Sequence, residues 1–438
     1  PRPVKGHLQH AQSALDSVNI MSPQHRRVAS VDMLRGASMM LLVLVHSVAY
    51  IARYPTSFDP VYQFFLWGLG GLGAALFTTL VGTSFVLSMR SMENLPTRVI
   101  LMGATARGVF LILVSWAINV LTKGPDYLFV SQILQLIGIA SIVVALLRKV
   151  RSIWLIVIAA GIWLLAPLAR SAIGFVQWWG GAMEPMADAR PLGLIIQPVG
   201  TLAPGFDLQA AVAAALVAGV FPVIPWLIFP IIGMVIGRAL IAEQPHLARN
   251  LGLGGVLLMA LGVGWALLAV ATGNLDSIAG YLAPISFNPL STSLVLLQMG
   301  VVLVSIGIAS AALDHKATHG RWLAVPSLFG RYALTVYTTS WLIIFIPVHI
   351  ADWLDPGTRH MSALTGTYVA LAFGIVLMIA YYPVLKVWDR HGGVGSLEWL
   401  MRRLLMKAGR PSTRDAGDSS GGAGSSTQDA GSSTPPAA

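Results

Sequence analysis

The sequence predicts an all-α fold, a polytopic transmembrane bundle of about ten helices with both termini in the cytoplasm. Hydrophobic residues make up 55% of the 438 residues and charged residues only 11%, whereas soluble domains carry roughly 25% charged residues. Apolar stretches of about 20 residues, long enough to cross a bilayer at about 1.5 Å per residue, recur along the chain. Lysine and arginine residues concentrate between these stretches, as in multi-pass membrane proteins.

Ten apolar stretches separated by polar connections are the predicted membrane helices. The second is long and glycine-rich, which favours a tilted, kinked or broken helix or close packing on a neighbour. A further apolar stretch at residues 208–220 is too short to span and is typical of a re-entrant or interfacial segment. The predicted helices lie at residues 33–53, 62–89, 99–120, 127–147, 153–174, 222–241, 250–271, 291–313, 326–350 and 363–386.

The distribution of positive charge predicts the orientation of these helices. With ten crossings, the side that holds both termini carries 21 of the 28 lysine and arginine residues, and the other side carries five. Because basic connections stay in the cytoplasm, we expect both termini there, in a cytoplasmic membrane. The basic residues flank the apolar stretches and form no single patch. The net charge of +10 therefore indicates membrane lipids, and not nucleic acid, as the anionic partner.

The chain divides into one large domain and short flanking segments. We expect a cytoplasmic segment at residues 1–30 and a transmembrane domain at 31–390, whose longest outer connection is 175–221. A cytoplasmic amphipathic segment at 391–410 follows. The tail at 411–438 consists mainly of small and polar residues, so it has little to bury and should be disordered. The absence of cysteine excludes disulfides, thiolate catalysis and cysteine metal sites, and no other spacing predicts a metal site.

Three ionisable residues mark the first predicted helix. At 100° per residue, Arg35 and His46 are three turns plus about 20° apart, so they share one stripe and lie roughly 16 Å apart along the axis. Asp32 lies one turn before Arg35 on the same stripe. We interpret the three as a polar path that leads into the membrane.

A structural interpretation of these residues exists as well. Arg35 could extend its guanidinium to the lipid headgroups, and His46 could bond a neighbouring helix. For one ionisable residue near a helix end, this interpretation is the better one. Three on a common face favour function, because a histidine at that depth is destabilising unless it is paired.

The same helix carries a resemblance to known enzymes. Its SVDMLRG segment, with His46 eleven residues after Arg35, resembles the N-terminal signature of the family-three membrane acyltransferases and of the heparan-α-glucosaminide N-acetyltransferase family with its bacterial relatives. Further segments resemble this superfamily in the same order, and the resemblance spans most of residues 27–404. They are FTTLVGTSFVLSM at 77–89, Arg107 in ATARGVFLI, QILQLIGIA at 132–140, PVIPWLIFPIIGMVIGR at 222–238, GRYALTVYTTSWLI at 330–343 and GSLEWLMRRL at 395–404.

The resemblance implies a membrane acyltransferase of the cell envelope. Such enzymes move an acetyl or other short acyl group from cytoplasmic acyl-CoA, here acetyl-CoA, to a hydroxyl or amine of an extracytoplasmic glycan or glycolipid. In the heparan-α-glucosaminide enzyme the catalytic histidine lies in the loop after the first helix, but RYPTSFDP at 53–60 contains none. The expected general base is therefore His46. Arg35, paired with Asp32, and Arg107 are the expected ligands of the CoA phosphates.

Other residues are candidates for substrate binding. Gln132 and Gln135 could orient the acyl carbonyl or the acceptor, although bonds between helices would explain them equally well. Trp178 and Trp179 in the outer connection could stack on sugar rings, with an aromatic belt at the membrane interface as the equal alternative. Homo-oligomerisation is left open.

Two other classes of function compete with the enzyme. A transporter or flippase of an envelope precursor could use the stripe of Asp32, Arg35 and His46 as its polar path. A non-catalytic scaffold could use the soluble tail as a tether. Against transport stand the missing internal repeat and the lack of intramembrane carboxylates beyond Asp32. Against the scaffold stands the cost of embedding His46 in the membrane.

Overall fold

A computed structural model describes residues 28–172, 212–272, 290–314, 323–356 and 363–408, except residues 54, 56, 93, 94, 129, 213 and 219. Within these ranges the chain forms helices, joined at one point by a β-bridge between Ala52 and Thr365. Nine helices of the described ranges are long and apolar enough to cross a membrane. The predicted all-α polytopic bundle is confirmed.

In chain order, the bundle begins with four helices whose neighbours pack side by side, α1 with α2 and α3 with α4. Two short helices, α9 and α12, lie at the end of the bundle where α1 begins. The helices are α1 Ala29–Ile51, α2 Pro60–Met89, α3 Thr97–Lys123, α4 Ile133–Leu146, α5 Ser152–Ala172, α6 Val223–Ile241, α7 Leu247–Thr272, α8 Thr292–Leu313, α9 Ala324–Arg331, α10 Ala333–Leu354, α11 Thr367–Arg390 and α12 Leu397–Ala408.

Helix α4 differs from its predicted range of 127–147. It begins six residues later and has only 14 residues, which span about 21 Å, less than the hydrocarbon core. The side-chain amide of Asn119 donates to the carbonyl oxygens of Leu128 and Val130, at 3.3 and 2.9 Å, and so holds the preceding backbone outside the helix. Residues 130–132 are buried. Non-helical backbone at membrane depth is tolerated where protein covers it.

The glycine-rich second helix is interrupted, as its composition favours. Residues Phe64–Leu69 of α2 are π-helical and are followed by Gly70. At the start of α2, the carboxylate of Asp59 accepts hydrogen bonds from the backbone amides of Val61 and Tyr62 at 2.9 and 3.0 Å. Its other oxygen accepts a bond from the Thr367 hydroxyl at 2.6 Å, which ties α2 to α11.

Glycine residues set the closest helix contacts. A Cβ at Gly36 of α1 would lie 1.5 Å from the carbonyl oxygen of Pro326 in α9. A Cβ at Gly82 of α2 or at Gly233 of α6 would lie almost as close to the facing backbone, 1.9 and 2.0 Å from a carbonyl oxygen, and the Thr83 hydroxyl donates to the Gly233 carbonyl at 3.0 Å. Small residues allow such backbone approach between membrane helices, where packing takes the place of the hydrophobic effect.

We expect Gly36→Ala to separate α1 from α9 and to destabilise the protein. A new Cβ would overlap the backbone of α9, and overpacking of this kind costs about 1–3 kcal/mol. The measurement is the midpoint of thermal unfolding in detergent. Gly103→Ala in α3 is the control, since a Cβ there meets nothing within 4 Å. Equal midpoints for the two variants would show that the contact between α1 and α9 yields without cost.

Candidate active site

Arg35 lies where α1 and α9 meet. Its Nη2 atom is 3.0 Å from Oδ1 of Asp32, and its Nε donates to the carbonyl oxygen of Gly330 at 3.0 Å. The second bond depends on the close approach of the helices at Gly36. The guanidinium is therefore oriented from two sides, while its Nη1 has no partner among the described residues.

A cavity of about 190 Å³ opens beside this pair. It lies between α1, α2, α3, α4, α9, α10 and α12, and its walls are apolar apart from a group of charged and polar side chains. Those polar side chains are Arg35, Ser84, Arg107, Arg331, Tyr337 and Glu398. The two predicted phosphate ligands, which are 72 positions apart in the chain, therefore line one cavity.

The three arginines of the cavity differ in their pairing. Arg35 is paired with Asp32, and Arg331 with Asp389. Arg107 makes no hydrogen bond or ion pair with a residue that the structure describes, and the charge of Arg35 is close enough to repel it. The cavity thus holds a guanidinium whose charge is not compensated within the described ranges. Such a group favours an anionic ligand.

Glu398 joins α12 to the start of α10. One carboxylate oxygen accepts hydrogen bonds from the backbone amides of Leu334 and Thr335 at 2.7 and 3.0 Å, and the other accepts a bond from the Thr335 hydroxyl. These amides belong to the first turn of α10, where backbone donors lack partners and a negative charge is favourable. Together with Met401, Glu398 lines the cavity from α12.

Nothing in the sequence near Glu398 indicates its role. Its partners lie more than 60 positions earlier in the chain, so no local spacing indicates the contact. The segments 330–343 and 395–404, which carry the last two resemblances, meet at this point. Beside them, the Tyr332 hydroxyl donates to Asp389 at 3.1 Å. Burial raises the pKa of Tyr332, and this hydrogen bond to Asp389 contributes to the shift.

We expect Glu398→Gln to loosen α12. The amide keeps the size of the side chain but loses the charge that interacts with the first turn of α10, an interaction worth up to about 2 kcal/mol when it is partly buried. The measurement is the rate of tryptic cleavage at Arg402 and Arg403, both exposed on α12. Glu243→Gln, in an exposed turn, is the control. Cleavage at the wild-type rate would contradict a clamping role for Glu398.

His46 lies three turns beyond Arg35 on α1, within a group of aromatic rings. Its ring centroid is 4.8 Å from that of Trp341, 5.7 Å from that of Tyr50 and 6.1 Å from that of Tyr337, each in an edge-to-face arrangement. The buried Nδ1 atom has no hydrogen-bond partner among the described residues. Tyr337 also lines the cavity beside Arg35, so this one side chain contacts both the cavity and the ring of His46.

The other predicted site residues lie apart from the cavity or outside the described ranges. Gln132 and Gln135 are buried at the start of α4, and Oε1 of Gln135 has no described partner. Neither lines the cavity, although their neighbours Ile133 and Leu134 do. Trp178 and Trp179, with the rest of residues 173–211, lie outside the described residues.

Four further residues become candidates for the site only because of the structure: Ser84, Tyr50, Lys123 and Trp341. Ser84 lines the cavity, and its buried hydroxyl has no described partner. The other three surround or approach His46. In the part of the chain that the structure describes, no three histidine, cysteine or carboxylate side chains are grouped to hold a metal ion.

Comparison with known proteins bears on both the fold and the site. A family model described as heparan-alpha-glucosaminide N-acetyltransferase, catalytic, matches residues 27–268, which is more than half of the chain. The matched range includes Arg35, His46 and Arg107, whereas Trp341 and Glu398 lie beyond it. A search of the curated proteins finds no match. The resemblance seen in the sequence segments is confirmed: the chain belongs to the heparan-α-glucosaminide N-acetyltransferase family and is a multi-pass membrane acetyltransferase.

Proposed function

We propose that the protein transfers an acetyl group from cytoplasmic acetyl-CoA to an amine or hydroxyl of an extracytoplasmic glycan or glycolipid. Arg35 and Arg107 bind the phosphates of the donor, and His46 acts as the general base. The observation that best supports this proposal is the position of Arg107, which has no ion-pair partner within the described ranges and lines a cavity bordered by Tyr337, whose ring also contacts His46. The predicted donor-binding residue Arg35 and the predicted base His46 thus lie on one helix, α1, and Arg107 lines the same cavity as Arg35 from α3.

The size of the cavity fits one part of acetyl-CoA and not the whole molecule. Its volume of about 190 Å³ is below the roughly 300 Å³ at which pockets for drug-sized ligands begin. We therefore assign it to the acyl-pantetheine arm and the adjoining phosphates, with the nucleotide in the cytoplasm. The apolar walls suit the arm, and the phosphate oxygens can be bound by Arg107 and by the Nη1 atom of Arg35, neither of which has a partner in the described part of the chain.

His46 supplies the chemistry that the acceptor needs. A neutral imidazole accepts a proton near neutral pH, and the Nδ1 atom has no described partner that would compete for it. As His46 takes the proton of the acceptor amine or hydroxyl, the acceptor atom attacks the thioester carbon. The carbon–sulfur bond then breaks, and the imidazolium returns the proton to the CoA thiolate. His46 is thereby restored for the next cycle.

The direct test is acetyl transfer in proteoliposomes. Radiolabelled acetyl-CoA is supplied with an alkyl α-glucosaminide, which offers an amine, or with the matching alkyl α-glucoside, which offers only hydroxyls. Label in either glycoside supports the proposal and identifies the nucleophile. Failure of both, together with no binding of acetyl-CoA to the purified protein, would contradict it.

The direction of transfer depends on orientation, which the charge distribution predicts. Single cysteines are clean probes because the chain has none. We expect an impermeant maleimide to label a Ser57→Cys protein in intact cells, and a Gln244→Cys protein only after lysis. Both positions are exposed, and they lie at opposite ends of the bundle. The reverse pattern would overturn the orientation and, with it, the direction of transfer.

A further inference from the structure

We propose that Lys123 is a further catalytic residue, whose ammonium group stabilises the oxyanion that forms when the acceptor attacks the acyl carbonyl beside His46. This inference rests on the proposed function, because it assumes that acyl transfer takes place at His46.

Lys123 and His46 share the same aromatic surroundings. Lys123 is the last residue of α3, and its Nζ lies 5.7 Å from the ring centroid of Tyr50 and 5.4 Å from that of Trp341. The same two rings lie 5.7 and 4.8 Å from the ring of His46. The predicted base and a cation thus lie against the same two rings, although they come from different helices.

The contacts of Lys123 hold its ammonium in place without using its hydrogen-bond donors. It makes no ion pair or hydrogen bond with a residue of the described ranges, and the faces of Tyr50 and Trp341 supply its attraction through cation–π interaction. An ammonium has three N–H donors. No described residue uses any of the three, so they can bind an oxygen that carries developing negative charge, such as the carbonyl oxygen of a thioester under attack.

A second lysine shows what a purely structural contact of this kind looks like. Lys386 of α11 lies 5.7 Å from the ring centroid of Tyr382, the same distance as Lys123 from Tyr50. Lys386 and Tyr382 are both exposed, whereas Lys123 is half-buried and faces the ring cluster around His46. A lysine near the end of a membrane helix ordinarily extends its charge toward the headgroups. The inward position of Lys123 therefore points to a ligand.

The step balances with the residues present. The acceptor nitrogen or oxygen forms a bond to the thioester carbon and gives its proton to His46, and the carbonyl π electrons move onto oxygen beside Lys123. When the carbonyl re-forms, the carbon–sulfur bond breaks and the CoA sulfur takes the proton from the imidazolium. Lys123 stays protonated throughout and contributes only electrostatic stabilisation.

The test separates charge at residue 123 from mere packing. We expect Lys123→Met to lower kcat for acetyl transfer to the alkyl α-glucosaminide by about 100- to 1000-fold, as removal of one oxyanion donor does elsewhere. The KM for acetyl-CoA should be unchanged. Lys386→Met, the matched control, should keep wild-type kinetics. Aminoethylation of a Lys123→Cys protein restores a lysine-like ammonium and should recover activity, whereas carbamidomethylation of the same protein should not.

Each outcome decides between the alternatives. Recovery on aminoethylation supports the role of the charge even if Lys123→Met is unstable. If Lys123→Met keeps wild-type kcat, or if aminoethylation confirmed by mass spectrometry recovers no activity, the inference is wrong while the proposed function stands. If the wild-type protein neither binds acetyl-CoA nor acetylates the glycoside, it is the proposed function that fails.

Discussion

Replacement of His46 by glutamine should lower acetyl transfer by about 100- to 10,000-fold, the usual contribution of a general base. Glutamine can still form hydrogen bonds at that position, but it cannot accept a proton at neutral pH. Binding of acetyl-CoA should persist, because His46 does not line the cavity that holds Arg35 and Arg107. The measurements are kcat at saturating donor and acceptor, and donor affinity by calorimetry.

A second histidine provides the control for this experiment. His349 of α10 is exposed, and its ring centroid lies 5.9 Å from that of Phe345. His349 is thus an imidazole close to the aromatic rings around His46, but it does not occupy the place of the proposed base. His349→Gln should retain full activity. An unchanged kcat in a correctly folded His46→Gln protein would remove His46 as the base and direct the search to the outer connection.

Replacement of Arg107 by glutamine should weaken acetyl-CoA binding by about 10- to 150-fold, which corresponds to the 1.5–3 kcal/mol of a hydrogen bond to a charged group. Arg107 makes no hydrogen bond or ion pair with a described residue, so the substitution removes no such interaction from the folded protein. The effect should therefore fall on the ligand and leave stability intact. Arg35→Gln should act in the same direction, but it also removes the bonds to Asp32 and Gly330.

The phosphate contact can be isolated by the choice of ligand. S-acetylpantetheine lacks the phosphates of CoA, so its affinity should be the same for the wild-type and Arg107→Gln proteins. Arg98→Gln is the control, because Arg98 is an exposed arginine near the start of the same helix and does not line the cavity. Equal acetyl-CoA affinities for Arg107→Gln and Arg98→Gln would place the phosphate site elsewhere.

The sequence by itself determined the properties that depend on local pattern. A bilayer imposes a minimum length and an apolar composition on each crossing, so the helical, membrane-spanning fold could be predicted without knowledge of tertiary contacts. The common stripe of Asp32, Arg35 and His46 followed from the period of one helix. The family followed from short segments in a recognisable order, and the family match confirms it.

Only the tertiary structure decided how these pieces combine. Asn119 bonds the backbone before α4 and so delays the start of that helix, an effect that hydropathy cannot register. Which arginine is paired also depends on neighbouring helices: Arg35 gains Gly330 because Gly36 lets α9 approach, whereas Arg107 has no ion-pair or hydrogen-bond partner among the described residues. The position of Lys123 against the two rings that also contact His46 likewise follows from tertiary packing, because Lys123, Tyr50 and Trp341 come from three different helices, α3, α1 and α10. Contacts between helices are set by their rotation and spacing, which depend on close packing across many residues and are not encoded in the period of any one segment.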